Sequence, residues 1–219
     1  EMKESSSLIF VEHHVGDAKS FFQNESLFIS TKNNVKLDHI RIQSSSIHTQ
    51  NISNISVKQA DSSQYNFYQF SDGSQLSRLN MHISLDGQNA GCNVNSIAIS
   101  KNRQHIDNNI VVNHNSPNTY SSQLVKTILF NKSTGVFNGK TVVNKKAQKI
   151  IAHQSNKNLL FSSSAKMNSN PQLEIYADDV KCSHGSTTGE LNKDMLFYIQ
   201  SRGISKEDAI RLIVNGFAN

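Results

Sequence analysis

The densest group of chemically competent side chains in this sequence lies between residues 174 and 187. It contains one cysteine and one histidine, together with three carboxylates: Cys182, His184, Glu174, Asp178 and Asp179. On an extended chain, residues 182 and 184 project from the same face. Because thiolates and imidazoles are ligands for zinc and iron, Cys182 and His184 make up half of a metal site.

The other half of such a site is missing from the sequence. Zinc and iron sites need about four ligands, and no second Cys-x-His or Cys-x-x-Cys pattern occurs. If the pair binds a metal, another chain must supply the remaining ligands. Alternatively, Cys182 and His184 are packed or hydrogen-bonded at the end of a strand and have no ligand role.

The carboxylates suggest a different chemistry. Solenoid enzymes that act on polysaccharides place acidic residues on neighbouring coils for proton transfer or for calcium binding. Asp178 and Asp179 are adjacent, however, so on a strand they would face opposite sides, which weakens this interpretation. Nucleophilic catalysis has less support, because the sequence contains no Gly-x-Ser-x-Gly elbow. Glycine-rich phosphate-binding patterns are also missing.

The elements that position these residues are predicted to be strands. Between residues 26 and 176, short apolar stretches alternate with Ser, Asn, Asp and Gln at a period of two, and helical spacing is absent. With 2 prolines in the chain, and Asn-Gly within residues 26–176 only at Asn138-Gly139, the hairpins of a β-sandwich are not indicated. Short strands with Ser- and Asn-rich corners instead fit a parallel β-solenoid, in which asparagines can form ladders.

Both ends of the chain differ from this pattern. After Gly189, Asn192 is predicted to cap a helix over 193–199 that stops at Gly203. A second helix is predicted from Ser205 to just before Gly216, and its apolar face requires a partner. We therefore divide the chain into a β-core at 1–190 and the start of a helical region at 191–219. Near the N-terminus, residues 8–11 are predicted to form a strand and 13–16 a turn.

Composition excludes several classes of protein. The 219 residues are 36% hydrophobic and 18% charged, and 2 cysteines cannot form a disulfide framework, so a packed core in a reducing compartment is expected. No apolar run approaches the roughly 20 residues of a membrane helix. The net charge of +5 is scattered and lacks interleaved aromatic residues, so no nucleic-acid partner is predicted. Because Glu1 is not an initiator Met, we expect that the sequence begins inside a longer gene product. The absence of a signal peptide therefore gives no information about where the protein is located.

Residues 171–185, PQLEIYADDVKCSHG, resemble the signature of SufD subunits in the SufB/SufD family of the SUF iron–sulfur cluster assembly machinery. Further similar segments lie upstream at 126–129, 135–140 and 147–149 and downstream at 196–204, with weaker resemblance at 78–87 and 114–121. SufB subunits have a Glu-His-Glu type sequence where this chain has Ser183-His184-Gly185. The resemblance is therefore to SufD.

The resemblance implies a mainly β protein with a right-handed parallel β-helix core and a short C-terminal helical segment. It also implies a non-catalytic scaffold that pairs with a SufB-like subunit and docks a SufC-like ATPase through its C-terminal helices. Nascent clusters are built at the SufB–SufD interface in this family, where His184 matches the participating histidine and Cys182 the neighbouring cysteine. His184 would then be a metal ligand shared with the partner.

The same resemblance sets the remaining expectations. The isolated chain holds no cofactor and pairs with itself, and association of a flavin with the full complex is left open. The expected location is the cytoplasm or a plastid-type organelle. Two rival hypotheses are kept: a β-solenoid carbohydrate-active enzyme that uses Asp178 or Asp179, and a purely structural scaffold in which Cys182 and His184 bind nothing.

Overall fold

The computed structural model of the chain describes residues 1–16 and 20–219. In these residues the chain forms thirteen strands followed by two helices, which confirms the predicted mainly β class. The elements are β1 (Ser7–Val15), β2 (Phe21–Thr31), β3 (Lys36–Ser45), β4 (Thr49–Gln59), β5 (Gln64–Gly73), β6 (Leu76–Leu85), β7 (Gly91–Ser100), β8 (His105–His114), β9 (Tyr120–Leu129), β10 (Thr134–Val143), β11 (Ile150–Leu160), β12 (Lys166–Ile175), β13 (Val180–Glu190), α1 (Lys193–Ser201) and α2 (Lys206–Ala218).

The strands form two parallel sheets between which the chain alternates. One sheet has the order β1-β3-β5-β7-β9-β11-β13 and the other has the order β12-β10-β8-β6-β4-β2. Every strand pairs in parallel with the strand two places along the chain, which is the topology of a β-solenoid. Partners are 27 residues apart between Gln64 and Gly91 but 31 residues apart between Tyr120 and Ile151. This variation explains why the sequence shows no strict repeat.

The core lies between the two sheets and is built from every second residue of each strand. In β5, for example, Tyr65 and Phe67 are fully buried while Tyr68 is exposed on the outer face. The alternation that the sequence shows is therefore the pleat of the strands, with one set of side chains inside the solenoid and the other outside. The largest fully buried apolar side chains are Tyr65, Phe67, Phe137, Met81, Ile83, Leu85, Ile110, Ile128, Leu129 and Ile150.

Asparagine and serine occupy the corners between successive strands, as predicted. Successive coils turn at residues with positive φ, including Asn34 (57°), Ser62 (55°), Asn89 (57°) and Asn118 (58°). Asn tolerates the left-handed region better than most residues, so these turns do not need glycine. The predicted ladders are also present on the outer faces: one column of register partners consists of Asn54, Asn80, Asn109, Asn138 and Asn170.

The two C-terminal helices begin where the sequence predicts. The side chain of Asn192 accepts a hydrogen bond from the Met195 N–H at 3.0 Å, and Ser205 caps α2 in the same way. Gly216 lies inside α2, so the prediction that this helix stops before it is wrong. The helix continues to Ala218, whose carbonyl oxygen accepts a hydrogen bond from Lys126 Nζ on β9 at 3.0 Å. This contact holds the C-terminal end of α2 against the outer face of the sheet.

The predicted turn at residues 13–16 is wrong for its first three residues. His13, His14 and Val15 belong to β1, and only Gly16 follows the strand. His14 is placed in the strand because its Nδ1 accepts a hydrogen bond from Gln23 at 3.1 Å and lies 3.5 Å from Glu25 inside the solenoid. Neither described helix is both long enough and apolar enough to cross a bilayer.

Candidate functional site

Cys182 and His184 lie on β13, the strand of the last coil. β13 pairs with β11, and within residues 1–16 and 20–219 no further strand pairs with its other edge. The register places Cys182 beside Ala152 and His184 beside Gln154, and both of these β11 residues face the interior. Cys182 and His184 therefore occupy inward positions, on one face as their spacing predicts. They are accessible because the solenoid is open at this end.

Cys182 lies on a small apolar cluster at the open end. It is half-buried and packs with Val180 against the buried residues Ile150, Ala152 and Ala177. Burial raises the pKa of the Cys182 thiol above its usual value, although a hydrogen bond from the Ala152 backbone opposes the shift. At neutral pH the side chain is therefore a thiol, and it becomes a thiolate ligand only if a metal or a neighbouring positive charge favours deprotonation.

His184 is exposed, in contrast to Cys182. Across the described part of the chain, neither of its ring nitrogens has a hydrogen-bond partner. The next residue, Gly185, is equally open, because an added Cβ there would meet no atom within 4 Å. A glycine within a strand often marks a place where another backbone approaches closely. Packing among the described residues gives no other reason for the glycine.

A network of hydroxyl and amide groups fixes the second half of β13 against its neighbours. Ser169 Oγ on β12 lies 2.7 Å from Ser186 Oγ and donates to Asn156 Oδ1 at 2.8 Å. Asn158 donates to the same Oδ1 at 2.6 Å and to the Thr187 carbonyl oxygen at 3.2 Å. These bonds tie β11, β12 and β13 together, so the backbone that carries His184 is held in place by the fold.

The three carboxylates do not join this pair. Asp178 and Asp179 lie in the bend between β12 and β13 and not on a strand. The Asp179 N–H donates to Gln148 Oε1 at 2.9 Å and fixes the corner. Glu174 forms an ion pair with Lys140 at 2.6 Å. Among the described residues, no group of three or more His, Cys, Asp or Glu is arranged to hold a metal ion.

The sequence reasoning missed a set of titratable residues inside the other end of the solenoid. His39 is fully buried, and its Nε2 lies 2.6 Å from Glu12 Oε2 while its Nδ1 lies 2.9 Å from the Tyr65 hydroxyl. Burial alone would raise the pKa of Glu12, but the hydrogen bond and charge of His39 leave it below its usual value. Each of these residues stands at an inward position of its strand. The alternation of inward and outward positions was therefore the feature of the sequence that could have placed them inside the solenoid.

The fold and the site define a parallel β-solenoid in which one cysteine and one histidine, Cys182 and His184, lie at the open end of the last coil. Residues 1–217 match the family described as SUF system FeS cluster assembly, SufBD core domain. The chain therefore belongs to the SufBD core family, and the resemblance found in residues 171–185 is confirmed.

Individual relatives agree with this assignment. The chain is 33% identical over 220 residues to the iron–sulfur cluster assembly protein SufD of Escherichia coli. This alignment covers 100% of the present chain and 52% of the Escherichia coli protein. The chain is also 34% identical over 223 residues to Protein ABCI7, chloroplastic, of Arabidopsis thaliana. That alignment covers 100% of the present chain and 46% of the relative. The chain thus spans about half the length of these two curated relatives.

Proposed function

We propose that this chain is the core of a non-catalytic scaffold subunit that pairs with a SufB-like subunit through its last coil. The nascent iron–sulfur cluster is the cargo built at the seam between the two subunits. His184 supplies one ligand from this side, with Cys182 beside it, and the partner supplies the rest. The subunit works in the cytoplasm or in a plastid-type organelle, and similarity to a chloroplastic relative is compatible with the latter.

The observation that carries this proposal is the coincidence of an open strand edge with inward-facing ligands. An unpaired parallel edge is a template for another strand and is a liability if left uncovered. A partner strand beside β13 would extend the sheet and close the solenoid over residues 182 and 184. Metal binding would then depend on assembly, because neither subunit alone offers enough ligands.

The C-terminal helices support the proposed docking of a SufC-like ATPase. Of the side chains of α1, Phe197 is 73% exposed and Tyr198 is 59% exposed, and none of its residues is buried. Leu212 on α2 is 53% exposed. Large apolar side chains exposed together on neighbouring helices are typical of protein interaction sites.

The proposal is tested by anaerobic co-purification of the full-length protein with a SufB-like subunit, with iron and sulfide measured in the complex. We expect His184→Ala to retain pairing and to lose most of the bound iron and sulfide. His153→Ala is the matched control, because His153 stands on the neighbouring strand but on the outer face, with its Nδ1 2.8 Å from Ser183 Oγ. This control should retain the wild-type cluster content.

The other outcomes have defined meanings. Equal iron and sulfide in wild type and His184→Ala would contradict a ligand role and leave a purely structural scaffold. Failure of the full-length wild-type protein to pair with a SufB-like subunit would contradict the scaffold proposal itself. Turnover of a polysaccharide that depends on Asp178 or Asp179 would favour the carbohydrate-active alternative, for which the position of these residues in a corner gives no support.

A further inference from the structure

His184 and the Gln154 carbonyl oxygen are not hydrogen-bonded to each other in this structure. We propose that Gln154 is a positioning residue for His184: when the imidazole turns inward, the side-chain carbonyl oxygen of Gln154 accepts a hydrogen bond from one ring nitrogen and thereby presents the other nitrogen to the seam. This inference deepens the proposed function and rests on it for its biological meaning. The structural claim, that Gln154 selects the tautomer of His184, can be tested independently.

The first observation is an oriented amide beside His184. Gln154 is the register partner of His184 and stands on the same inward face, one coil earlier. Its Nε2 donates to Gln123 Oε1 at 3.3 Å, and Gln123 Nε2 in turn donates to Thr141 Oγ1 at 3.3 Å. Because the nitrogen of the Gln154 amide is committed to the preceding coil, its oxygen is the end left for the following coil, where His184 stands.

The second observation is that this oxygen lacks a donor. Gln154 is 3% exposed, and its Oε1 is buried without a hydrogen-bond partner among the described residues. A buried acceptor in this state is costly, and native structures normally satisfy it. His184 is the residue of the last coil that the register places next to it, and a neutral imidazole carries one N–H donor.

The third observation is that the fold reserves space for the Gln154 amide. Gly139 on β10 faces it across the interior, and a Cβ at that position would lie 2.1 Å from Gln154 Nε2 and 2.8 Å from Gln154 Cδ. No side chain fits at residue 139 unless the amide moves. The glycine therefore leaves room for Gln154 in this orientation.

The chemical consequence follows from the two nitrogens of histidine. An amide oxygen can only accept, so the ring nitrogen that faces Gln154 must carry the proton. The other nitrogen then keeps its lone pair and is directed towards the open end. Hydrogen bonds of this type fix both the tautomer and the ring orientation of metal-binding histidines.

The test measures the tautomer of His184 in the full-length protein by ¹⁵N NMR of labelled histidine at a pH where the ring is neutral. We expect wild type to favour one tautomer more strongly than the exposed reference His48. Gln154→Met, which removes the acceptor, should lower the tautomer ratio by roughly fivefold, the equivalent of one net hydrogen bond. Gln154→Glu keeps an acceptor and should restore the wild-type preference. An unchanged ratio in Gln154→Met would overturn the inference.

A second variant, Gln154→Asn, provides a test that does not depend on the folding of Gln154→Met. Gln154→Asn keeps an amide but shortens the side chain by one methylene, so it should lose the preference for one tautomer while the histidine spectrum stays dispersed.

Cluster content in the SufB-like complex separates the two proposals. If Gln154→Met changes the tautomer but His184→Ala leaves the cluster intact, the proposed function fails and the positioning role stands. If only His184→Ala has an effect, the positioning role fails.

Discussion

At the scale of a single residue, burial in the solenoid lowers the pKa of His114. The ring is fully buried, with Nδ1 2.7 Å from Thr119 Oγ1 and Nε2 2.9 Å from Ser121 Oγ. The Thr119 hydroxyl already donates to the Ser116 carbonyl oxygen, so it must accept from Nδ1–H. Nε2 therefore accepts from Ser121. Because burial opposes the charged form, the pKa of His114 falls from its usual value of 6.5 to about 4.

This shift predicts a loss of stability on mild acidification. Between pH 6.5 and about 4 the unfolded chain binds a proton at His114 that the folded chain does not bind. The free energy of unfolding therefore decreases as pH falls through this window, by about 1.4 kcal/mol per pH unit and about 3 kcal/mol in total. Urea unfolding of His114→Gln from pH 7 to pH 4 should show a shallower decrease than wild type.

The matched control for this experiment is His48→Gln, because His48 is exposed. It should leave the pH dependence unchanged. Identical pH profiles for His114→Gln and wild type would show that burial of His114 does not set the slope.

At the scale of the elements, a buried ion pair joins the two sheets near the start of the solenoid. Arg41 on β3 is 1% exposed and donates from Nη2 to Glu25 Oε1 on β2 at 3.0 Å. The same nitrogen donates to Asn51 Oδ1 on β4 at 3.3 Å. Such a pair adds little net stability compared with apolar packing, but it is costly to break, because removal of one partner leaves an uncompensated charge.

We therefore expect Glu25→Gln to destabilise the protein. A fully buried pair costs about 3–5 kcal/mol when broken, and the 27% exposure of the Glu25 side chain reduces the expected loss to about 2–3 kcal/mol. The comparison is Glu207→Gln on α2, where the ion pair with Arg211 spans 2.9 Å and both side chains are exposed. This change should cost less than about 0.5 kcal/mol. Chemical denaturation of both variants measures the difference, and equal losses would contradict the argument.

At the scale of the whole molecule, the solenoid formed by residues 1–16 and 20–219 is open at its last coil. β12 and β13 are the last strands of their sheets, and no described residue covers their outer edges with another strand. Exposed parallel edges pair readily with further strands. The edge that we propose for a SufB-like partner should therefore also let the isolated protein pair with itself.

Gly185→Val tests this edge without disturbing the fold. A Cβ added at this position would meet no atom within 4 Å, and valine favours a strand more than glycine does. We expect an unchanged or higher melting temperature, together with weaker self-association and weaker pairing with a SufB-like subunit, measured by light scattering and co-purification. Gly189→Val is the comparison, because this glycine is equally open but lies near the end of β13. Undiminished pairing by Gly185→Val would place the interface elsewhere.

Local features of the chain could be predicted from the sequence alone. The alternation of period two gives the strands, and Asn192 and Ser205 give the starts of the helices, because strand pleat and helix capping depend on residues only a few positions apart. The shared face of Cys182 and His184 follows from the same pleat. Asn and Ser in the corners indicated a solenoid because they tolerate left-handed turns without glycine.

Other features depended on the tertiary structure. Glu12 meets His39, and Gln154 stands beside His184, only through the register between coils. That register is set by corner lengths and core packing, and coils of 26 to 32 residues show no period from which it could be read. His14 likewise joins a strand because Gln23 and Glu25 receive its side chain inside the solenoid. The sequence thus determined the local alternation and the family, while contacts between coils decided which residues meet.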